Sequence, residues 1–342
     1  MCACIFIKLI KFDRNPDSNG FYTSPVTIAW SGDDGSGTGI ESCVSPTTYS
    51  GPDSRDARST STCTDKAGNV GTGTVTFSYD ANPPTSTTIT PSPAIPNGGK
   101  TKLNSITFTL GGTDTVGVTS YLCSLDGSKF AICPDAVSYT GLADGSHTFA
   151  AEAVDAALHR ATTEQFSWTI DTVPPVISVP ADITVEATIS SGASVTYTTT
   201  AQDNLDGTLT HMCTPPSGST FPLSTTTVSC SAQDSAGNQA STSFKVTVRD
   251  TTPPDTRIQS IQTSGGGSSN TVTIALQGSD NVGATQFKCA LDSPTFSPCS
   301  STVVYSNVRS GGHIFAASAV DSSGNVDSSP AVQPFTISGS PK

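Results

Sequence analysis

Asp171-Thr172-Val173-Pro174-Pro175 has near copies at Asp80-Ala81-Asn82-Pro83-Pro84 and Asp250-Thr251-Thr252-Pro253-Pro254. A Pro-Pro pair offers no N–H to a sheet and holds the residue before it extended, so a strand ends ahead of each copy and a new element begins after it. The copies begin at positions 80, 171 and 250, a spacing that suits one small all-β domain. Three such marks divide the 342 residues into four segments: 1–82, 83–172, 173–252 and 253–342.

Segments 83–172 and 253–342 are copies of one unit. A single offset pairs Asp114 with Asp280, Cys123 with Cys289, Asp126 with Asp292, Phe130 with Phe296, Cys133 with Cys299, Tyr139 with Tyr305, His147 with His313 and Asp155 with Asp321. Within the unit, "CSLDGSKFAIC" reads as strand, Asp-Gly turn and strand, a hairpin braced by its two cysteines. Nowhere do apolar residues recur at helical spacing over eleven or more positions, so no helix is predicted.

Eight of the ten cysteines fall as one pair per segment: Cys43 with Cys63, Cys123 with Cys133, Cys213 with Cys230, and Cys289 with Cys299. None shows Cys-x-x-Cys spacing and only four histidines are present, so disulfides are predicted rather than zinc or redox sites. An oxidising, extracellular setting follows. A disulfide closing so short a loop adds about 3 kcal/mol, a large part of what a small domain can reach. Cys2 and Cys4 remain unassigned.

Charged residues make up 13% of the chain, against about 25% in ordinary globular proteins, and hydroxyl side chains dominate the polar surface. A net charge of −12 with only 16 Lys and Arg argues against nucleic acid or an anionic membrane as partner; calcium or a neutral glycan suits it better. No stretch has the length of a membrane span. The start, "MCACIFIKLIK", is a poor signal peptide because Lys8 breaks its apolar run and no small-residue cleavage site follows. It reads as a first strand, or as the start of an incomplete or misassigned frame. N-x-Ser/Thr is absent from the sequence, and the Ser/Thr-rich loops leave O-glycosylation open.

Three resemblances extend this reading. "NGFYTSPVTIAWSGDDGSGTGIESC" with "TCTDKAGNV" resembles the bacterial immunoglobulin-like repeats of large secreted proteins, which makes Trp30 a core residue. "DGSHTFAAEAVD", echoed by "SGGHIFAASAVD", resembles an immunoglobulin-like repeat of multidomain surface proteins. Residues 173–252, with "AQDNLDGTLTHMC" and "FPLSTTTVSCSAQDSAGNQASTSFKVTV", resemble a HYR (hyalin repeat) module, an immunoglobulin-like fold associated with adhesion. The fold class expected is all-β: four tandem immunoglobulin-like sandwiches in an extended rod.

In such a sandwich the loop after the second strand and the last hairpin share the end at which the chain enters. That groups Asp80 with Asp114 and Asp155; Asp171 with Asp203, Asp206 and Asp234; and Asp250 with Asp280 and Asp321. Carboxylates with turn carbonyls are the hard oxygen ligands of calcium. The competing reading is local: Asp opens a tight turn and Gly or Asn closes it, as in "DSAGN", with no metal at all. No nucleophile elbow or catalytic triad is visible, and His147 and His313 share one repeat position, which favours a structural role. The function expected is non-enzymatic and structural: a subunit of a surface fibre or pilus-like filament built from copies of itself. The alternative is an adhesin stalk or a glycan- or protein-binding module of a larger secreted protein.

Overall fold

The computed structural model describes residues 5–35, 37–266 and 269–338. The regular elements among them are strands, with no helix, as the sequence predicts. Cys2 and Cys4 lie outside the described residues. The chain divides into two compact units, Met1–Val173 with Ser235–Gly237, and Pro174–Asp234 with Asn238–Lys342. The main division falls inside the Asp171–Pro175 motif.

The first unit holds two sandwiches. In one, the sheet Phe6–Phe12, Val26–Asp33, Thr47–Tyr49 joins the sheet Phe21–Tyr22, Val70–Tyr79, Ser54–Asp65, Ile40–Cys43. Alternation turns Val26, Ile28 and Trp30 inward, so Trp30 is buried as expected, and Tyr22, Val26, Ala57 and Tyr79 form a core cluster. The apolar N-terminal run pairs antiparallel with Val26–Asp33, Phe6 opposite Asp33 and Phe12 opposite Ile28. The run is thus the first strand of its own sandwich and lies at the edge of its sheet.

The other sandwich of the first unit sets Ala136–Tyr139, Ile106–Thr113 and Ser86–Ser92 against the sheet that runs Ala131–Cys133, Val118–Leu125, Gly145–Asp155, Glu164–Ile170, Gly99–Thr101. Its core is aromatic. Phe108 lies flat on Phe149 with ring centres 4.2 Å apart and meets Phe166 and Trp168 edge-on.

The second unit begins with the sheet Ile183–Glu186, Gln239–Arg249, Thr225–Gln233, His211–Thr214, covered by Val176–Ser178, Thr200–Asp203 and Gly207–Thr208. Thr225–Gln233 and Gln239–Arg249 form the hairpin read around "DSAGN". It continues with Asp255–Gly266, Ser269–Ser279 and Thr302–Val308, and with the sheet Ser297–Cys299, Ala284–Leu291, Gly311–Asp321, Ala331–Ile337.

All four expected disulfides are present. Each joins neighbouring strands of one sheet and leaves the two sheets unbridged. Cys43 stands opposite Cys63 and Cys213 opposite Cys230, whereas Cys123 stands opposite Ala131 and reaches Cys133 diagonally. In the hairpin that this last bond braces, Asp126 and Gly127 both take positive φ, 51° and 72°, the conformation a two-residue primed turn needs.

The Pro-Pro motifs are held by carboxylates of the sandwich that precedes them. Asp53 accepts the Ala81 amide at 2.9 Å, Asp144 the Thr172 amide at 3.1 Å, and Glu186 the Thr251 and Thr252 amides at 2.6 and 3.1 Å. Just upstream, the Asp80 amide donates to the Tyr22 carbonyl and the Asp171 amide to the Thr101 carbonyl, both on short strands that pair parallel with the last strand of their sandwich. The aspartates that open the first two motifs are thus placed by backbone bonds.

Both copies of the repeated unit also fix one histidine. His147 presents Nδ1 to Asp126 Oδ2 and Nε2 to the Ala143 carbonyl, each at 2.9 Å; His313 presents Nδ1 to Asp292 Oδ2 at 2.6 Å and Nε2 to the Arg309 carbonyl at 2.8 Å. A neutral imidazole carries one N–H, so a ring facing two acceptors is matched only as the cation. For His147 burial opposes this, but the Ala143 carbonyl and Asp126 outweigh it; for His313, Asp292 leads and the Arg309 carbonyl adds. Both pKa values rise above the ordinary value. A raised histidine pKa gives stability that is complete below the unfolded value of about 6.5 and is lost as pH rises through the folded value. Asp126 and Asp292 are shifted down, so their contribution is present above the ordinary carboxylate range and fades as pH falls through the depressed values. The melting temperature is therefore expected to decline from about pH 6.5 upward, a slope that His147→Gln with His313→Gln flattens; scanning calorimetry across pH reads it.

Candidate metal centres

Each sandwich repeats one turn in its last hairpin. Asp65, Asp155, Asp234 and Asp321 each accept the main-chain amide of the residue four positions on, and the other carboxylate oxygen takes that residue's side chain: Asn69 at 2.8 Å, His159 at 3.1 Å, Asn238 at 2.7 Å and Asn325 at 2.7 Å. Gly68, Gly237 and Gly324 precede the asparagines with φ of 85°, 91° and 92°, and Leu158 occupies that place at 72°. A branched side chain in left-handed backbone is strained, and Leu158 is mostly exposed, so it gains little by packing. Leu158→Gly is expected to stabilise the chain by about 1 kcal/mol, measured by urea unfolding.

A second recurrent turn lies at the loop after the second strand. One oxygen of Asp114 caps the amides of Val116 and Gly117, one of Asp280 those of Val282 and Gly283, and one of Asp203 those of Leu205 and Asp206. Val116 and Val282, equivalent in the two copies, are carried on these loops. In the first unit Val116 clusters with Phe21, Ala156 and Ala157, while Arg55 donates to its carbonyl at 2.7 Å and Asn19 to that of Ala156, also at 2.7 Å. In the second unit Val282 packs on the cluster around Phe221 and Phe244, and Asn281 donates to the Ala187 carbonyl at 2.6 Å.

Aspartates collect beside these plugs. In the second unit, atoms of Asp250, Asp280 and Asp321 lie within 4.8 Å of one another, the grouping that the sequence predicts. Asp321 is committed to its turn, and although burial opposes it, Asn325 and the backbone amides hold its pKa below the usual range. Asp250 is only 8% exposed; Ser323 donates to its Oδ2 at 2.8 Å, and burial, with Asp321 and Asp280 nearby, raises its pKa. Oδ1 of Asp250 and Oδ1 of Asp280 are buried with no hydrogen-bond partner among the described residues. Three carboxylates with two bare oxygens are costly without a cation, since burial and like charge both disfavour ionisation. In Asp280 one oxygen caps the turn and the other is left bare, so the turn-forming reading does not exclude a metal ligand there.

In the first unit the gathered set is Asp80, Asp155 and His159, again within 4.8 Å. This departs from the sequence expectation: His159 joins the set where Asp114 was expected, and Asp114 caps its own loop with one oxygen. Asp114 still acts on the centre through charge. Burial, then Asp155, Asp114 and Asp53, raise the Asp80 pKa to about 6. Asp171 belongs to the first unit, where it is fully buried with its amide on Thr101; Asp203, Asp206 and Asp234 belong to the second. Asp234 bonds Asn238 through both oxygens, as Asp321 does Asn325, and is not among the gathered sets of the described residues. Repetition of the Asp-to-Asn turn is the signal that identifies His159, since the offset between the copies lays it on Asn325.

Residues 170–248 match the HYR domain family. The chain carries a HYR domain. A Hyalin from Strongylocentrotus purpuratus is 42% identical over 90 residues, 25% of this chain and 8% of that protein. A Hyalin from Lytechinus variegatus is 33% identical over 205 residues, 56% of this chain and 36% of that protein. The second match extends well beyond the HYR domain, yet the chain spans only about a third of that relative and less of the other. Among solved structures, extracellular cadherin domains 1–4 of protocadherin gamma B7 align with 83% of the chain at 12% identity and a TM-score of 0.31, below the level of a shared overall fold. No helix among the described residues is long and apolar enough to cross a membrane.

Proposed function

We propose that this chain is part of an extracellular, non-enzymatic adhesion or fibre-forming protein whose sandwiches are joined through aspartate centres that hold calcium. The observation that carries the reading is the relation to Hyalin over 205 residues, a match longer than the HYR domain itself. The four disulfides support an oxidising location, since such bonds persist outside reducing compartments. The calcium part rests on the Asp250–Asp280–Asp321 centre, whose ligands are all hard oxygens. Assembly with copies of itself is the finer form of the proposal, with low charge and hydroxyl-rich faces as the contact surface.

Negative-stain imaging of the purified chain in calcium tests it. Filaments or ordered clusters that dissolve in EDTA support self-assembly. Single molecules that bind a glycan array point to a stalk or binding module, and turnover in a hydrolytic screen overturns the non-enzymatic reading.

A further inference from the structure

We propose that Asp80, Asp155 and His159 form a site for a divalent cation of the zinc class, chemically distinct from the all-oxygen centre of the second unit. Two observations meet there. The three residues bring two carboxylates and one imidazole within 4.8 Å. Asp80, 0% exposed, brings a carboxylate oxygen into that cluster, and neither of its buried oxygens has a hydrogen-bond partner among the described residues. A fully buried carboxylate with neither oxygen bonded is rare, and a metal ion supplies the missing partner.

The nitrogen decides the class of ion. Calcium takes oxygen ligands almost alone, whereas zinc and its neighbours accept imidazole and carboxylate together. Geometry allows His159 and Asp155 to serve jointly, because Nδ1 and Oδ2, 3.1 Å apart, stand at the separation of two ligands on one ion. On binding, the imidazole takes the neutral tautomer with its proton on Nε2, which frees the Nδ1 lone pair for the metal, while the other Asp155 oxygen keeps the His159 amide at 2.9 Å. Placement favours a tie: Asp80 opens the first Pro-Pro motif, and the other two ligands sit on the last hairpin of the following sandwich. The copy in the second unit cannot do the same, since Asn325 replaces the imidazole and donates to both Asp321 and the Asp250 carbonyl.

This inference rests on the reading that acidic junction clusters hold cations, and the two fail separately. The full-length chain, with free thiols alkylated, is titrated with zinc chloride alone and with calcium chloride alone, and the cobalt-loaded form is examined by visible absorption. One zinc per chain is expected, with a cobalt spectrum of nitrogen and oxygen ligation. His159→Asn copies the turn of the other repeat, so the hairpin is kept, and it is expected to weaken zinc about tenfold or more while leaving the calcium titration unchanged. Asp250→Asn is expected to do the reverse. No zinc uptake, or equal uptake by His159→Asn, overturns the site; loss of calcium binding alone overturns the other centre and leaves this one standing.

Discussion

Phe108→Ala is expected to destabilise its sandwich by about 3–5 kcal/mol. Phe108 is fully buried, lies flat on Phe149, and meets Trp168 at 5.4 Å, Phe166 at 5.6 Å and Tyr139 at 6.5 Å. Truncation removes the transfer energy of the ring and leaves a hole among four aromatic neighbours on two facing sheets, too stiff to close it. The equivalent position in the other copy is Ile274, also fully buried but without that ring cluster. Ile274→Ala is therefore expected to cost less, about 2–4 kcal/mol. Both tryptophans, Trp30 and Trp168, lie in the first unit, so guanidinium unfolding followed by intrinsic fluorescence reports on Phe108→Ala directly. Equal losses for the two variants contradict the assignment of the aromatic cluster as the larger contributor.

Much of the fold was legible because its punctuation is chemical. Proline cannot donate, cysteines pair within short loops, and an Asp-Gly turn has one conformation to offer, so strand ends, disulfides and the 126–127 hairpin follow from residue type. The Asp250–Asp280–Asp321 grouping was legible for the same reason, since each member opens a turn at a repeated place. What stayed hidden depends on which oxygen is used. Asp114 and Asp280 look alike in sequence, yet the first centre takes His159 instead of Asp114, and the substitution has meaning only once the turn from Asp321 to Asn325 is seen in space. The parallel strands Phe21–Tyr22 and Gly99–Thr101 are too short to carry a periodic signal. The pairing of Phe6–Phe12 with Val26–Asp33 is set by long-range burial, which an apolar run alone does not reveal.

Calcium is expected to stabilise the second unit by about 2.7 kcal/mol at a hundredfold excess over its dissociation constant. The proposed ion would join Asp250, at the end of one sandwich, to Asp280 and Asp321 on the next, would give partners to two buried oxygens, and would offset the burial and the like charge that raise Asp250. Asp280→Asn separates the two roles of that residue. Its amide oxygen still caps Val282 and Gly283, so the loop is retained, but one negative charge is gone. In EDTA the variant is expected to be as stable as the parent or slightly more so, because a like charge has left a buried cluster. In calcium the order reverses, since the variant forgoes a ligand of the ion.

Scanning calorimetry of the full-length chain in calcium and in EDTA, alongside Asp280→Asn, tests the cation-tied centre most directly. The account predicts a transition that moves to higher temperature with calcium in the parent chain and stays in place in Asp280→Asn. Identical parent profiles in calcium and EDTA, or an equal shift in the variant, would contradict it.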